Sequence, residues 1–319
     1  MSSPTPRPLL LGHRGARPLP LLGLRWRKPS FPAENTIAAF DYALANGCGG
    51  FEFDVRYTRD RRSVLHHDAA LKRHEIAATD YSGLERRSGY NLACLEDVLA
   101  RFGARAYLDI ELKVEGNEDA IVAAVRAKRP QRGFVVSSFL PEVLLRLHEL
   151  DSSLPLGYVC DRVENVARWT RLPITALFPQ HDLVSQRLID DAHARSVQLL
   201  TWTVNDSRDM VRLAGWGVDG LISDSPVLAQ QHVSRDPART GSELTPSREL
   251  RATRKKTRAA RLYRLLKNPS FGRFVSGHDF SRADRAFIFS PESASADDTR
   301  VALRVFQYSV FGRRHAAAG

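Results

Sequence analysis

The chain has 319 residues, 43% of them hydrophobic, which is enough to bury a sizeable core. The cysteines are widely spaced and lie mostly in apolar stretches, which favours reduced buried thiols and excludes a disulfide framework; they are Cys48, Cys94 and Cys160. No run approaches the roughly 20 apolar residues of a membrane span. We therefore expect a cytoplasmic protein without a signal sequence, at most peripheral to a membrane. The formal net charge of +11 comes almost entirely from residues after 230.

The first predicted strand, residues 9–11, carries His13 and Arg14 just beyond its carboxyl end. These residues supply a proton carrier and a positive charge, which cleavage of a phosphodiester needs. A helix is predicted over residues 34–46. Glu34 at its start is a candidate substrate-binding residue and fits two interpretations, a carboxylate favoured by the helix macrodipole or a partner of a catalytic group.

The second predicted strand, residues 50–55, indicates a cation site. Its alternation places Glu52 and Asp54 on one face and apolar residues on the other. Carboxylate oxygens suit Mg²⁺ or Ca²⁺ better than Zn²⁺. The same alternation is typical of the polar face of an ordinary antiparallel strand. In a parallel barrel, however, inward carboxylates are costly without a compensating cation.

Residues 64–67 follow that strand too closely for a helical crossover, so we predict an antiparallel appendage that carries His67 over the barrel mouth. His66 precedes it directly, and only one of the two rings can face the site because side chains alternate along a strand.

Residues 106–113 are predicted to form the next barrel strand, with Asp109, Glu111 and Lys113 on one face. Glu111 is the candidate third ligand of the cation. Lys113 beside it is a candidate point charge for phosphate.

The remaining chain alternates between strands and helices. Strands are predicted near residues 134–138, 155–159, 175–178, 198–204 and 220–223, with helices near 94–101, 118–129, 141–150, 185–195, 207–215 and 226–232. With the first three, the strands number eight. This order predicts an α/β fold, a TIM-type (β/α)8 barrel over residues 1–232, with the candidate groups at the C-terminal ends of its strands.

The order of these pieces resembles the glycerophosphodiester phosphodiesterase family over roughly residues 8–230. The matching motifs are His13-Arg14-Gly15, Glu34-Asn35-Thr36 with Ala39-Phe40, Glu52 and Asp54, Val64 to Asp68, Glu111 and Lys113, Ser138-Phe139, Trp202-Thr203-Val204-Asn205, and Asp219-Gly220 leading to Asp224. The resemblance implies a TIM-type barrel that hydrolyses glycerophosphodiesters, such as glycerophosphocholine or glycerophosphoethanolamine, to sn-glycerol 3-phosphate and an alcohol. It also implies one divalent cation.

The resemblance also implies residue roles. It makes His13 and His67 the acid/base pair and favours His67 over His66. The implied metal ligands are Glu52, Asp54 and Glu111, and the implied phosphate-binding residues are Arg14 and Lys113. Trp202 fits a wall of the glycerol pocket and equally a plain core position.

Two other functions stay open: a lysophospholipase D acting on lysophospholipids, and a noncatalytic barrel anchored to anionic lipid or nucleic acid through its tail. The sequence departs from the family at residues 17–32, a long loop that either recognises an anionic or lipid headgroup or is a solvated insertion. Also open are the alcohol released, the preferred cation, the division of acid and base roles, the nucleophile (water or a glycerol hydroxyl) and the oligomeric state.

Residues 233–319 are predicted to form a basic, aromatic-containing extension outside the resemblance, with no function assigned. From Gln231 onward there are 18 Lys and Arg against 8 Asp and Glu, and residues 248–267 hold nine of these basic residues and one acid. A basic amphipathic helix there would contact an anionic membrane, with nucleic acid the less favoured partner. The other interpretation is a charged segment that is mobile or rests loosely on the barrel.

Overall fold

The structure is a computed structural model that describes residues 7–17 and 31–233. The predictions for residues 18–30 and for the tail from residue 234 lie outside the described residues. The boundary between residues 232 and 233 stays a prediction.

The described residues contain eleven strands, in chain order β1 (Leu9–Gly12), β2 (Gly50–Tyr57), β3 (Ser63–Leu65), β4 (Ala70–Leu71), β5 (His74–Glu75), β6 (Tyr107–Leu112), β7 (Phe134–Ser138), β8 (Leu156–Cys160), β9 (Ala176–Pro179), β10 (Gln198–Thr201) and β11 (Gly220–Ser223). Eight of them run parallel in the order β1, β2, β6, β7, β8, β9, β10 and β11, and β1 pairs with both β2 and β11. The sheet is therefore a closed barrel, and the predicted TIM-type fold is confirmed.

The same part of the chain contains the helices α1 (Ile37–Ala45), α2 (Tyr81–Ser88), α3 (Leu95–Phe102), α4 (Glu118–Ala127), α5 (Pro141–Leu150), α6 (Val163–Val166), α7 (Gln186–His193), α8 (Ser207–Trp216) and α9 (Pro226–Val233). None of these helices is both long enough and apolar enough to cross a membrane.

Two elements differ from the sequence prediction by three residues at one end. The first helix begins at Ile37, because Asn35 has a left-handed φ of 56° and the Thr36 hydroxyl caps the helix by accepting from the Ala39 amide at 3.2 Å. Strand β10 ends at Thr201, because its neighbour β9 ends at Pro179. Beyond these residues only a single bridge, between residues 180 and 202, continues the pairing.

The predicted antiparallel appendage is the strand β3, which pairs with the outer half of β2. The sequence did not predict the β4–β5 hairpin or the helices α2 and α6. These elements are short and polar, so they present few of the periodic apolar positions that a sequence pattern can reveal.

Two apolar layers hold the barrel together. The layer between strands and helices includes Phe51 and Phe53 of β2, both fully buried and packed against Phe40 of α1. The layer inside the barrel comes from six other strands; it consists of Leu11, Val135, Val159, Ala176, Phe178, Leu200 and Ile222. Strand β2 contributes nothing apolar to this inner layer, and β6 contributes only the half-buried Tyr107 at its start. Because Phe51 and Phe53 face the helices, the carboxylates that alternate with them face the barrel interior.

Candidate active site

A tight turn after β1 presents His13 and Arg14 at the barrel mouth. Gly12 allows this turn, because a Cβ there would lie 1.8 Å from the carbonyl oxygen of Gly15. Arg14 has a φ of 51°, a strained conformation for a residue with a side chain. Its backbone amide compensates by donating to Oε2 of Glu52 at 2.8 Å.

The register of β2 against β6 brings the acidic residues together. Glu52 lies opposite Asp109, and Asp54 lies opposite Glu111. One carboxylate oxygen each from Glu52, Asp54 and Glu111 lies within 4.8 Å of the others, and all three residues are buried. The structure thus brings together the three predicted metal ligands.

These carboxylates disturb one another's ionisation. Burial, followed by the charges of Asp54, Glu111 and Asp109, holds the pKa of Glu52 well above its usual value. Burial is also the main cause that raises the pKa of Glu111 to about 7 and that of Asp109 to about 8. Burial alone would raise the pKa of Asp54 too, but Lys113, Arg14 and an amide hydrogen bond from Asn35 bring it below its usual value.

Two basic side chains lie among the carboxylates. The Lys113 ammonium is 2.6 Å from Oε1 of Glu111 and 3.2 Å from Oδ1 of Asp54. Nε of Arg14 is 3.3 Å from Oδ2 of Asp54. The carboxyl groups on β2 and β6 therefore outnumber the basic side chains that contact them.

The donor set fits Mg²⁺ or Ca²⁺ at this position. Oε1 of Glu52 is fully buried and has no hydrogen-bond partner, which is costly for a carboxylate oxygen. All the candidate ligand atoms are oxygens, as hard cations prefer. An ion held by Glu52, Asp54 and Glu111 would give this oxygen a partner. Its positive charge would also lower the raised pKa values of Glu52 and Glu111.

The two predicted catalytic histidines are anchored in the same way. Nδ1 of His13 donates to Oδ1 of Asp224 at 2.7 Å, and Asp224 also accepts from the amide of Asn205 at 2.7 Å. Nδ1 of His67 donates to Oδ1 of Asp68 at 2.8 Å. Each ring therefore keeps Nε2 for chemistry, and Nε2 of His13 lies 3.9 Å from Oε2 of Glu52.

A single cavity joins these groups. Its polar lining is His13, Arg14, Glu52, His67, Asp109, Glu111 and Lys113, and its apolar lining is Phe139, Val159, Phe178, Trp202 and Ile222. His67 rather than His66 lines it, as the resemblance implied. The rings of Phe139 and Trp202 meet edge to face, with centroids 5.5 Å apart, and form part of the apolar wall of the cavity.

Glu34 lies beside the cavity and binds arginines. Its Oε1 accepts from Nη1 of Arg14 at 3.0 Å, and its Oε2 lies 2.6 Å from Nε of Arg17. The first turn of α1 contains no acidic residue. Glu34 thus contacts the predicted phosphate-binding residue Arg14 and the neighbouring Arg17.

Sequence reasoning gave no role to two polar residues that shape the site. Asn35 clamps Asp54 twice: its amide donates to Oδ2 at 2.7 Å, and its carbonyl oxygen accepts from the Asp54 backbone amide at 3.1 Å. Asp224 anchors His13, and this contact with the hydrogen bond from Asn205 brings the Asp224 pKa below its usual value although burial acts in the opposite direction. Both residues lie in the family motifs, which was the signal that they matter.

An eight-stranded parallel barrel whose mouth gathers acid/base and phosphate-binding groups defines a class, the TIM-barrel phosphodiester hydrolases. Residues 13–228 match the sequence model of the Glycerophosphoryl diester phosphodiesterase family. The chain belongs to this family.

Individual relatives agree. A glycerophosphodiester phosphodiesterase of Caldanaerobacter subterraneus is 30% identical over 217 residues, which cover 60% of this chain and 89% of the relative. A glycerophosphodiester phosphodiesterase of Bacillus subtilis is 25% identical over 264 residues, covering 70% of this chain and 85% of the relative.

Solved structures share the fold. A glycerophosphodiester phosphodiesterase from Parabacteroides distasonis superposes with a TM-score of 0.62 at 23% identity, covering 73% of this chain and 98% of that one. A phosphodiesterase from Oleispira antarctica, in complex with the product sn-glycerol-3-phosphate, has a TM-score of 0.59 at 23% identity, covering 72% and 98%.

Proposed function

We propose that the protein hydrolyses glycerophosphodiesters, such as glycerophosphocholine or glycerophosphoethanolamine, to sn-glycerol 3-phosphate and an alcohol, assisted by one divalent cation. The observation that carries the proposal is the convergence of Glu52, Asp54 and Glu111 below two histidines that each keep Nε2 free of their anchoring aspartate. The product bound to the Oleispira antarctica phosphodiesterase supports the proposed product.

Each side chain has a place in this reaction. When bound, the cation supplies Lewis-acid stabilisation of the charge on the phosphate oxygens. Arg14 and Lys113 hold the phosphate, because both are nearly buried and already oriented by carboxylates. The Phe139 and Trp202 rings exclude water from the glycerol side of the cavity.

The histidines transfer the protons. One Nε2 takes a proton from the nucleophile, either water or the neighbouring glycerol hydroxyl, and the other gives a proton to the departing alkoxide. Asp224 and Asp68 keep each ring in the tautomer and orientation that this requires. A cyclic glycerophosphate intermediate would identify the glycerol hydroxyl as the nucleophile.

The activity is tested by release of sn-glycerol 3-phosphate from glycerophosphocholine after treatment with EDTA and after addition of Mg²⁺ or Ca²⁺. We expect the chelated protein to be inactive and one of the ions to restore hydrolysis. Full activity in EDTA would contradict the metal site. Faster cleavage of lysophosphatidylcholine than of glycerophosphocholine would indicate a lysophospholipase D, and no cleavage with either ion would favour the noncatalytic alternative.

The histidine roles are tested with His13→Ala and His67→Ala on two leaving groups, choline and p-nitrophenol. Loss of the general acid should reduce choline release by about 10²- to 10⁴-fold but spare the p-nitrophenyl ester, whose leaving group needs no proton. Loss of the base should impair both. The control is His193→Ala, because His193 forms a similar pair with Asp219, at 2.8 Å, next to the opposite end of the barrel strands. Unchanged hydrolysis of both esters by either site variant would refute its proposed role.

A further inference from the structure

His67 lies on a segment with little support from secondary structure. The pairing of β3 with β2 ends at Leu65, and no strand contains His67. Its side chain is 37% exposed, and the Asp68 carboxylate that anchors its ring is 76% exposed. A contact between two such exposed side chains contributes little rigidity in water. Asp68 sets the tautomer and rotation of the His67 ring, and the position of the ring in the site depends on the His67 backbone.

Two contacts from β2 fix that backbone. The amide of His66 donates to the carbonyl oxygen of Asp54 at 3.1 Å, which extends the β2 pairing by one step. The carbonyl oxygen of His67 then accepts two hydrogen bonds from one guanidinium, from Nε of Arg56 at 3.0 Å and from Nη2 at 2.8 Å. These contacts lie on either side of the peptide bond between His66 and His67. The backbone is therefore held just before and just after this bond.

Arg56 is suited to this contact by its position and its chemistry. It lies two residues after Asp54 on β2, so it shares a strand face with the proposed metal ligands. Its planar fork places two N–H groups on the same side, whereas a lysine offers a single rotating ammonium on a flexible stem. Charge-assisted hydrogen bonds of this kind are stronger than neutral ones.

We propose that Arg56 is a positioning residue for the reaction: its two hydrogen bonds to the His67 carbonyl place Nε2 of His67 at the phosphodiester. The inference rests on the proposed function, in which His67 transfers a proton. Arg56 is not among the residues that line the cavity, so we expect its loss to act through His67 and to slow the chemical step without weakening substrate binding.

The test is Arg56→Lys, which keeps the charge and removes the fork, in the full-length protein with its activating ion. A misplacement on the scale of 1 Å is worth about 100-fold, so we expect kcat on glycerophosphocholine to fall by about 10- to 100-fold with KM within about twofold. The matched control is Arg61→Lys, on the neighbouring turn, where one guanidinium nitrogen pairs with both oxygens of exposed Asp119. We expect it to leave kcat unchanged. Thermal unfolding of each variant shows whether it is folded, and Arg56→Gln replaces Arg56→Lys if the latter unfolds.

A double-mutant cycle separates this inference from the function on which it rests. In a His67→Ala protein, Arg56→Lys should have no further effect on kcat, because the imidazole that Arg56 positions is absent. An unchanged kcat in Arg56→Lys alone, or an equal loss with and without His67, would overturn the positioning role while leaving the proposed function intact. Full activity of His67→Ala alone would instead remove the proposed role of His67.

Discussion

Glu52 shows how a single residue can be unfavourable for the fold and necessary for the site. It is only 4% exposed, one of its oxygens has no hydrogen-bond partner, and three other carboxyl groups lie near it. Selection for stability alone would replace it with an apolar residue, as in the rest of the inner barrel layer. The proposed cation at Glu52, Asp54 and Glu111 would explain its presence.

The raised carboxyl pKa values predict how the stability of the metal-free protein depends on pH. Glu111 titrates at about 7 and Asp109 at about 8 in the folded state, against roughly 4 for both in an unfolded chain. Between these values the folded protein binds more protons than the unfolded one, so raising the pH favours unfolding. We expect the Tm measured in EDTA to fall steadily from about pH 5 to about pH 8.

Glu52→Gln is the control for this prediction, since it removes one charge from the cluster at nearly constant shape. The variant should have a higher Tm than the parent in EDTA at pH 8, a shallower pH dependence and no stabilisation by added Mg²⁺ or Ca²⁺. A Tm that rises with pH in the metal-free parent, or identical curves for the two proteins, would show that repulsion within the cluster is negligible.

Alternation along a strand was sufficient to predict the proposed ligands, because side-chain direction depends only on local geometry. Glu52, Asp54 and Glu111 converge as expected. The contacts of Asn35, Arg56 and Asp224 were not predictable in this way. They join residues 19, 11 and 211 positions apart, and no local spacing encodes which distant partner a polar side chain reaches.

At the scale of elements, strand β2 separates two environments. Its odd-numbered positions are aromatic or aliphatic and pack under α1 and α3, and its even-numbered positions form the site. Phe51 stacks on Phe40 with ring centroids 4.2 Å apart and meets Phe102 of α3 edge to face at 5.0 Å. The aromatic side of the strand therefore sets the position of its acidic side.

Phe51→Ala should therefore be strongly destabilising. Removal of a fully buried phenylalanine costs about 3–5 kcal/mol through lost transfer free energy and the cavity left behind. Urea denaturation followed by far-UV circular dichroism measures this change in the free energy of unfolding. Leu145→Ala, at an α5 position that is 45% exposed, should change it by less than about 0.5 kcal/mol. Similar losses in the two variants would contradict the layered packing described for β2.

The sequence predicted those elements whose pattern of apolar and polar residues is fixed by packing on both sides. The eight barrel strands and the long helices were predicted within a few residues. The β4–β5 hairpin and α2 were missed, because they lie on the excursion between β2 and α3, where polar residues predominate and short-range packing decides the conformation. Helix starts shifted where a cap such as Thr36 competed with the apolar pattern.

At the scale of the whole molecule, we propose that the barrel and the basic tail have separable roles. The family match ends at residue 228 and the last described helix at Val233. The basic segment 248–267 lies outside the described residues, and its contact with anionic membranes stays a proposal based on nine basic residues, each worth about 1 kcal/mol near such a surface.

A protein truncated after Val233 tests whether hydrolysis and membrane contact are separable. We expect it to hydrolyse glycerophosphocholine at the full-length rate and to lose cosedimentation with phosphatidylserine vesicles. Binding by the full-length protein should decrease as salt is raised, since it is electrostatic. The matched control is the full-length chain with Arg254, Lys255, Lys256 and Arg258 changed to Gln, which should bind as weakly as the shortened protein. Undiminished vesicle binding by either variant would rule out this segment as the contact.

The contact between His13 and Asp224 crosses the seam at which the barrel closes. The His13 amide also donates to the carbonyl of Ser223 on β11, at 2.9 Å, so the first and last strands meet at this histidine. During translation, a nascent chain that has not reached residue 220 lacks both the closing strand β11 and the aspartate that anchors the imidazole. We therefore expect polypeptides that end before β11 to have no phosphodiesterase activity.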